Sequence, residues 1–255
     1  IPHRFSEGYG FNEKIADEIR EKNEPGTLII TVDNGITAAD VLESLEQDGY
    51  PVIVTDHHEL KTGRMPEVSM VIDPKTGSAD QLAGDYWCGA GVALKLVEQY
   101  VTAEQKTDAE AFAAIATAAD CVTLKEGNWA LVRKTIQSFR NDIVPPQIKL
   151  LSEMLGQPTK FCTEDTFYYY IGPALNANGR LFDNGGAKAL SYLIAPTLEK
   201  AQEIVNTNND RKELRDKQYQ TILDTIYADN LQNNCPIWVK ASDLHQGIIG
   251  ILAGH

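Results

Sequence analysis

The chain has 255 residues, 43% hydrophobic and 23% charged, with a formal net charge of −13 at pH 7. That length allows one large domain, or one domain plus part of another, and no run of about 18 apolar residues occurs, so no membrane-spanning helix is expected. The acidic balance weighs against a nucleic-acid partner without removing it: phosphate contacts need only a local basic track, and carboxylate metal ligands add negative charge to the total.

Ile1-Pro2-His3-Arg4-Phe5 has no apolar core behind a basic flank, so no signal peptide is read there. Residues 27–32 and 51–55 are β-branched apolar runs and predict two buried strands, with a short third at 69–72. A helix over 38–47 separates the first two. Strand, helix, strand with continuous apolar runs indicates a parallel sheet covered on both faces. Helices follow at 89–100, at 109–119 (alanine-rich, suited to tight packing), at 130–139 and at 148–155. Tyr168-Tyr169-Tyr170 reads as a half-buried strand, with base stacking as the other role open to it. Residues 197–230 mix charged and apolar side chains and predict one long, largely exposed helix that bridges two lobes. Ile237-Trp238-Val239 starts a new strand. The four cysteines, Cys88, Cys121, Cys162 and Cys235, form no CxxC pair and are too sparse for a disulfide scaffold, which points to reduced thiols in a cytoplasmic protein.

The chemistry gathers at element ends. The first strand runs into Asp33 and the second into Asp56-His57-His58, and ligands of parallel α/β sheets bind beyond the carboxyl ends of strands. Carboxylates with neutral imidazoles suit a divalent ion such as Mn²⁺, Mg²⁺ or Zn²⁺. Asp33 is open to a second role, as a helix N-cap, and the histidines to plain surface positions. Asp120 ends an alanine-rich helix, where negative charge is disfavoured, so either a cation lies nearby or this is an ordinary loop aspartate.

Residues 31–37, Asp56-His57-His58 and residues 118–124 resemble consecutive motifs of the DHH phosphoesterases. Four further segments resemble the RecJ-type branch: residues 1–12 (IPHRFSEGYGFN), 88–96 (CGAGVALKL), 171–181 (IGPALNANGRL) and 245–251 (HQGIIGI). The resemblance implies an α/β fold: a doubly wound, mostly parallel sheet at 1–195, a connecting helix at 196–232, and the start of a second, smaller α/β domain at 233–255. It implies a metal-dependent phosphodiesterase, a single-strand-specific 5′→3′ DNA exonuclease of repair and recombination, working in the cytoplasm with Mn²⁺ or Mg²⁺, two ions in the intact protein. Single-stranded DNA is the implied partner, with a single-strand-binding protein or a helicase beside it.

By the same resemblance Asp33, His57 and Asp120 ligate metal, His58 sits beside the scissile phosphate, and Asp56 orients a histidine. Arg180 holds a substrate phosphate, helped by Asn176, Arg4 and His245. Three alternatives stay open: a surface salt bridge for Arg180, a solvated terminal position for Arg4, and a cap on the following helix for His245. The family's first motif, an Asp-x-Asp strand end, would lie before Ile1, so the chain reads as a piece of a longer protein. Ala174 stands where the family carries an arginine. The rival functions are a DHH enzyme acting on oligonucleotides or cyclic dinucleotides, and an inactive RecJ-like scaffold.

Overall fold

Three β-branched segments pair in parallel in the computed structural model, which describes residues 3–8, 10–60, 63–76, 86–240 and 243–254. Strands β1 (Ile29–Val32), β2 (Val52–Thr55) and β3 (Met70–Ile72) lie in the order β1-β2-β3. Ile30 is opposite Ile53, and Ile53 is opposite Met70. Parallel neighbours need a crossover, and α2 (Ala39–Gln47) supplies it between β1 and β2. Before it, α1 (Glu13–Lys22) is capped by Asn12, whose side chain accepts from the Ile15 amide. Ala16 of α1, Leu42 and Leu45 of α2, and Val52 and Val54 of β2 close into one core cluster. The opposite face of β1 is open: Ile30 and Val32 are each about half exposed, as is Met70 of β3. The continuous apolar run of β1 is therefore buried on one face, where the sequence suggested two.

Helices α3 (Gly89–Val97), α4 (Ala103–Ala119), α5 (Glu126–Arg140) and α6 (Pro146–Met154) follow. Thr102 and Gln105 form a reciprocal capping box that starts α4 six residues before the predicted helix. Its alanines let α3 and α5 pack closely on either side. Residues 168–170 are not in a strand. They belong to a π-helix, Thr166–Ile171, which packs on α4 and α6 and leaves Tyr169 61% exposed. A Cβ at Gly172, just beyond it, would lie 2.6 Å from the Ala119 Cβ, so only glycine allows the π-helix to end against the last turn of α4.

The chain divides by compactness into Pro2–Pro173 and Ala174–His255. The change falls near the start of α7 (Gly172–Leu181). Residues 172–181, whose two glycines and proline favour a loop locally, are this helix: Pro173 is tolerated in a first turn, and Ala174, Leu175 and Ala177 continue it. The second unit continues with α8 (Gly185–Ile194), α9 (Leu198–Ala228) and the short α10 (Ile249–Ala253). Helix α9 is the long helix expected, 31 residues capped by Thr197. Residues 237–239 form no strand, and Trp238 is 82% exposed. Among the described residues, no helix is long and apolar enough to cross a membrane.

Candidate metal centre

Strand β1 ends in a residue that turns the chain sharply. Asp33 has φ 62°, in the left-handed region, and its amide still donates to Thr55 O of β2 at 2.9 Å. Left-handed backbone at a non-glycine residue is uncommon, and aspartate is among the side chains that tolerate it. The N-cap of α2 is Ala38, so Asp33 does not cap that helix. Its carboxylate lies over the start of α3 instead. A Cβ at Gly89 would fall 2.2 Å from Asp33 Oδ1, so the glycine makes the space that the carboxylate occupies.

At the end of β2, Asp56 is 1% exposed and ties the two strand ends together. Its Oδ2 accepts the Ile36 amide at 2.9 Å; its Oδ1 accepts the His57 amide at 2.8 Å and meets His58 Nδ1 at 2.7 Å. A buried carboxylate that accepts this many bonds is satisfied without an ion of its own. It also fixes the orientation of the His58 ring, whose centroid lies 4.6 Å from that of His57.

His57 joins the two remaining carboxylates. Its Nε2 lies 3.1 Å from Asp33 Oδ1 and 3.3 Å from Asp120 Oδ2. Asp120 reaches it as the C-cap of α4, the helix whose end seemed unfavourable for negative charge. The hydrogen bond that His57 Nε2 donates to the Asp33 carboxylate raises the His57 pKa; burial opposes this, and the charges of Asp33 and Asp120 reinforce it. Burial holds the Asp120 carboxyl above its ordinary range, His57 lowers it, and Asp33 adds to the rise. Two carboxylates that repel each other around one imidazole form an environment that a dication relieves. Ligand atoms each about 2.0–2.2 Å from one ion sit roughly 3 Å apart at right-angle geometry, which is the spacing here. Ligand atoms of Asp33, His57 and His58 also lie within 4.8 Å of one another.

One residue here escaped the sequence reading. Asp73 follows β3, is fully buried, and its Oδ1 accepts the Lys75 amide at 2.8 Å. Burial raises its carboxyl pKa, the Lys75 amide lowers it, and the charges of Asp56 and His57 also act on it. An aspartate after the third strand repeats the placement of Asp33 and Asp56, and that repetition was the available signal.

The other predicted residues are on other elements. Arg4 is half-buried in the turn at 4–7. Arg180, Asn176 and His245 belong to the second unit. Asn176 is exposed on α7. Arg180 Nη1 donates to Gly247 O at 3.3 Å, and His245 Nδ1 accepts the Gly247 amide at 3.1 Å, so Arg180 of α7 and His245 both bond Gly247.

Residues 1–124 match the DHH family, N-terminal domain. Over nearly its whole length the chain is similar to RecJ proteins. It is 31% identical over 261 residues to the single-stranded-DNA-specific exonuclease RecJ of Bacillus subtilis, covering 99% of this chain and 32% of the relative. It is 28% identical over 274 residues to the RecJ exonuclease of Escherichia coli, covering 99% of this chain and 46% of the relative. The chain thus spans less than half the length of these curated relatives. A crystal structure of exonuclease RecJ bound to manganese superposes with a TM-score of 0.78 at 29% identity, covering 100% of this chain and 63% of that one. The parallel sheet and helices described above are those expected of a DHH α/β domain.

Proposed function

We propose that the intact protein is a metal-dependent phosphodiesterase that removes nucleotides from single-stranded DNA in the 5′→3′ direction, in repair and recombination. The observation that carries the reading is the meeting of Asp33 and Asp120 at His57 Nε2, with His58 held beside them by Asp56. The RecJ relatives are single-stranded-DNA-specific exonucleases, and one has been solved with manganese. The 5′→3′ polarity rests on the resemblance alone.

Asp33, His57 and Asp120 would hold Mn²⁺ or Mg²⁺, one of two ions in the intact protein. A divalent ion so held supplies Lewis acidity and lowers the pKa of a bound water. The chain's own residues provide the rest. Asp56 fixes His58 through Nδ1, which leaves Nε2 to meet a phosphate oxygen or the departing one. Gly89 keeps the Asp33 carboxylate in place at the start of α3. The π-helix places Tyr168 beside Cys121, the residue after Asp120, through a hydroxyl–thiol contact. Exposed ring faces there suit the stacking of unpaired bases, which duplex DNA does not offer. The chemistry of Asp33, His57 and Asp120 argues against an inactive scaffold, which needs no such meeting of carboxylates on an imidazole.

The test uses long single strands labelled at either end, a blunt duplex and a dinucleotide. Release of mononucleotides from the 5′ end of the single strand, dependent on Mn²⁺ or Mg²⁺, supports the reading. Equal rates on duplex, or activity that survives exhaustive chelation, would contradict it. Preference for the dinucleotide would favour an oligonucleotide-degrading DHH enzyme.

A further inference from the structure

In the second unit, helix α9 buries an arginine that forms no salt bridge among the described residues. Arg211 is 6% exposed, and its Nε and Nη2 donate to Asn208 Oδ1 at 3.2 and 3.0 Å. A guanidinium carries five N–H donors. The Asn208 oxygen takes two, and among the described residues no carboxylate lies within salt-bridge distance of Arg211. A buried charge left in this way is costly unless a counter-charge joins it.

The surroundings add positive charge. Asn208, Arg211, Arg215 and Gln218 are spaced three, four and three residues apart, so they line one face of α9. Gln218 Oε1 accepts the His245 amide at 3.1 Å, and its Nε2 donates to Asp243 O at 3.0 Å. These bonds lay the loop at 243–247 along that face. The loop ends on Arg180: a Cβ at Gly247 would lie 1.8 Å from Arg180 O, and Arg180 Nη1 donates to Gly247 O. Burial lowers the Arg211 pKa, and the charges of Arg180 and Arg215 act in the same direction, against Asp216. Arg215 is itself neutralised by Asp216, at 2.6 Å from Nη2.

We propose that Arg211, with Arg180 beside it, forms an oxyanion site that takes a phosphate group of the polynucleotide. This rests on the phosphodiesterase reading for the identity of the ligand, though not for the site itself. Guanidinium forks match the paired oxygens of a phosphate, and a buried fork with unused donors is set to accept one. Contacts of this kind fix the register of a strand without reading its sequence.

The experiment uses the full chain without added divalent metal, in wild-type, Arg211→Met and Arg211→Lys forms. The probes are inorganic phosphate, read by melting temperature, and a labelled oligodeoxythymidylate, read by anisotropy over a salt series. Arg211→Met is expected to melt at or above the wild type in phosphate-free buffer, since it removes an uncompensated buried charge. Phosphate should raise the wild-type melting temperature and leave that of Arg211→Met unchanged. Oligonucleotide affinity should fall ten-fold or more, and the log–log salt slope should shrink by about 0.7. Arg211→Lys should recover part of the affinity. Wild-type affinity and slope in Arg211→Met, or full affinity in Arg211→Lys, would overturn the site. So would a collapse of the Arg211→Met melting temperature in phosphate-free buffer, which would make Arg211 a structural residue. An Arg211-dependent phosphate response in a wild type that binds no oligonucleotide would keep the oxyanion site and remove the polynucleotide reading.

Discussion

Gly89 lies directly against the Asp33 carboxylate, so close that any side chain at 89 would displace it: a Cβ there would meet Oδ1 at 2.2 Å and Cγ at 2.5 Å. Alanine is a better helix former than glycine, so Gly89→Ala should cost α3 little in itself. The substitution should instead turn Asp33 away from His57. Mn²⁺ affinity measured by titration calorimetry is expected to fall about ten-fold or more, the scale seen when groups that orient metal ligands are disturbed. Unchanged affinity would mean that Asp33 does not ligate.

Metal should stabilise the fold through mass action. At 100 times its dissociation constant, Mn²⁺ should add about 2.7 kcal/mol to the wild type, visible as a raised melting temperature. Asp33→Asn, His57→Ala and Asp120→Asn should each lose most of that increment. On the proposed reading, in which His58 meets the phosphate instead of the metal, His58→Ala should keep it while losing turnover. A His58→Ala protein that no longer responds to Mn²⁺ would move His58 into the ligand set.

Tyr169 is 61% exposed on the π-helix and packs edge-on against Tyr168, with ring centroids 4.4 Å apart. Tyr169→Ala should leave the melting temperature unchanged and weaken single-strand binding by about five-fold or more. The loss should be similar for thymine and adenine tracts, since stacking is tolerant of sequence. Loss confined to one base would point to hydrogen-bond readout instead.

Cys162 is 1% exposed, and burial pushes its thiol up to about 11, against partial lowering by the Thr166 side chain and Arg140. A folded pKa above the unfolded value means the folded state holds the proton more tightly. That contribution is complete below about pH 8.5 and is lost as pH rises towards 11, about 3 kcal/mol in all. Urea unfolding at pH 7.5 and 10.5 should show a larger loss for wild type than for Cys162→Ala. Equal losses would refute the burial argument. Cys121 and Cys235, both exposed, should react with a thiol reagent in the native protein, while Cys88 and Cys162 should wait for unfolding.

Much of the candidate metal centre was legible because it follows from periodicity. Apolar runs located β1 and β2 to within two residues, and the residue after each was then a strand-end residue of a parallel sheet. Asp120 was legible as an acid at the wrong end of an alanine helix. Asp73 was passed over because β3 is only three residues long and has a weak pattern. The π-helix at Tyr168–Tyr170 was misread because aromatic residues favour strands locally, and its packing against α4 and α6 decided otherwise. The helix over residues 172–181 was not legible because two glycines and a proline signal a loop. Gly172 is there for the close approach to Ala119 and Pro173 for a first turn, and neither reason is visible without the neighbouring helix. Arg211 gave no signal at all: within a charged helix, the one arginine that is buried looks like its exposed neighbours.

Among the described residues β1 pairs with β2 alone, and Ile30 and Val32 stand half exposed on its face with Leu28 beside them. An unpaired strand edge is a template for another strand, and an apolar surface next to it favours whatever docks. For anyone handling these 255 residues by themselves, this makes solubility a local property. Concentration-dependent association should begin at β1, and Ile30→Lys, a charge on the open face some distance along the strand from Asp33, is the single change expected to suppress it while leaving the metal ligands in place.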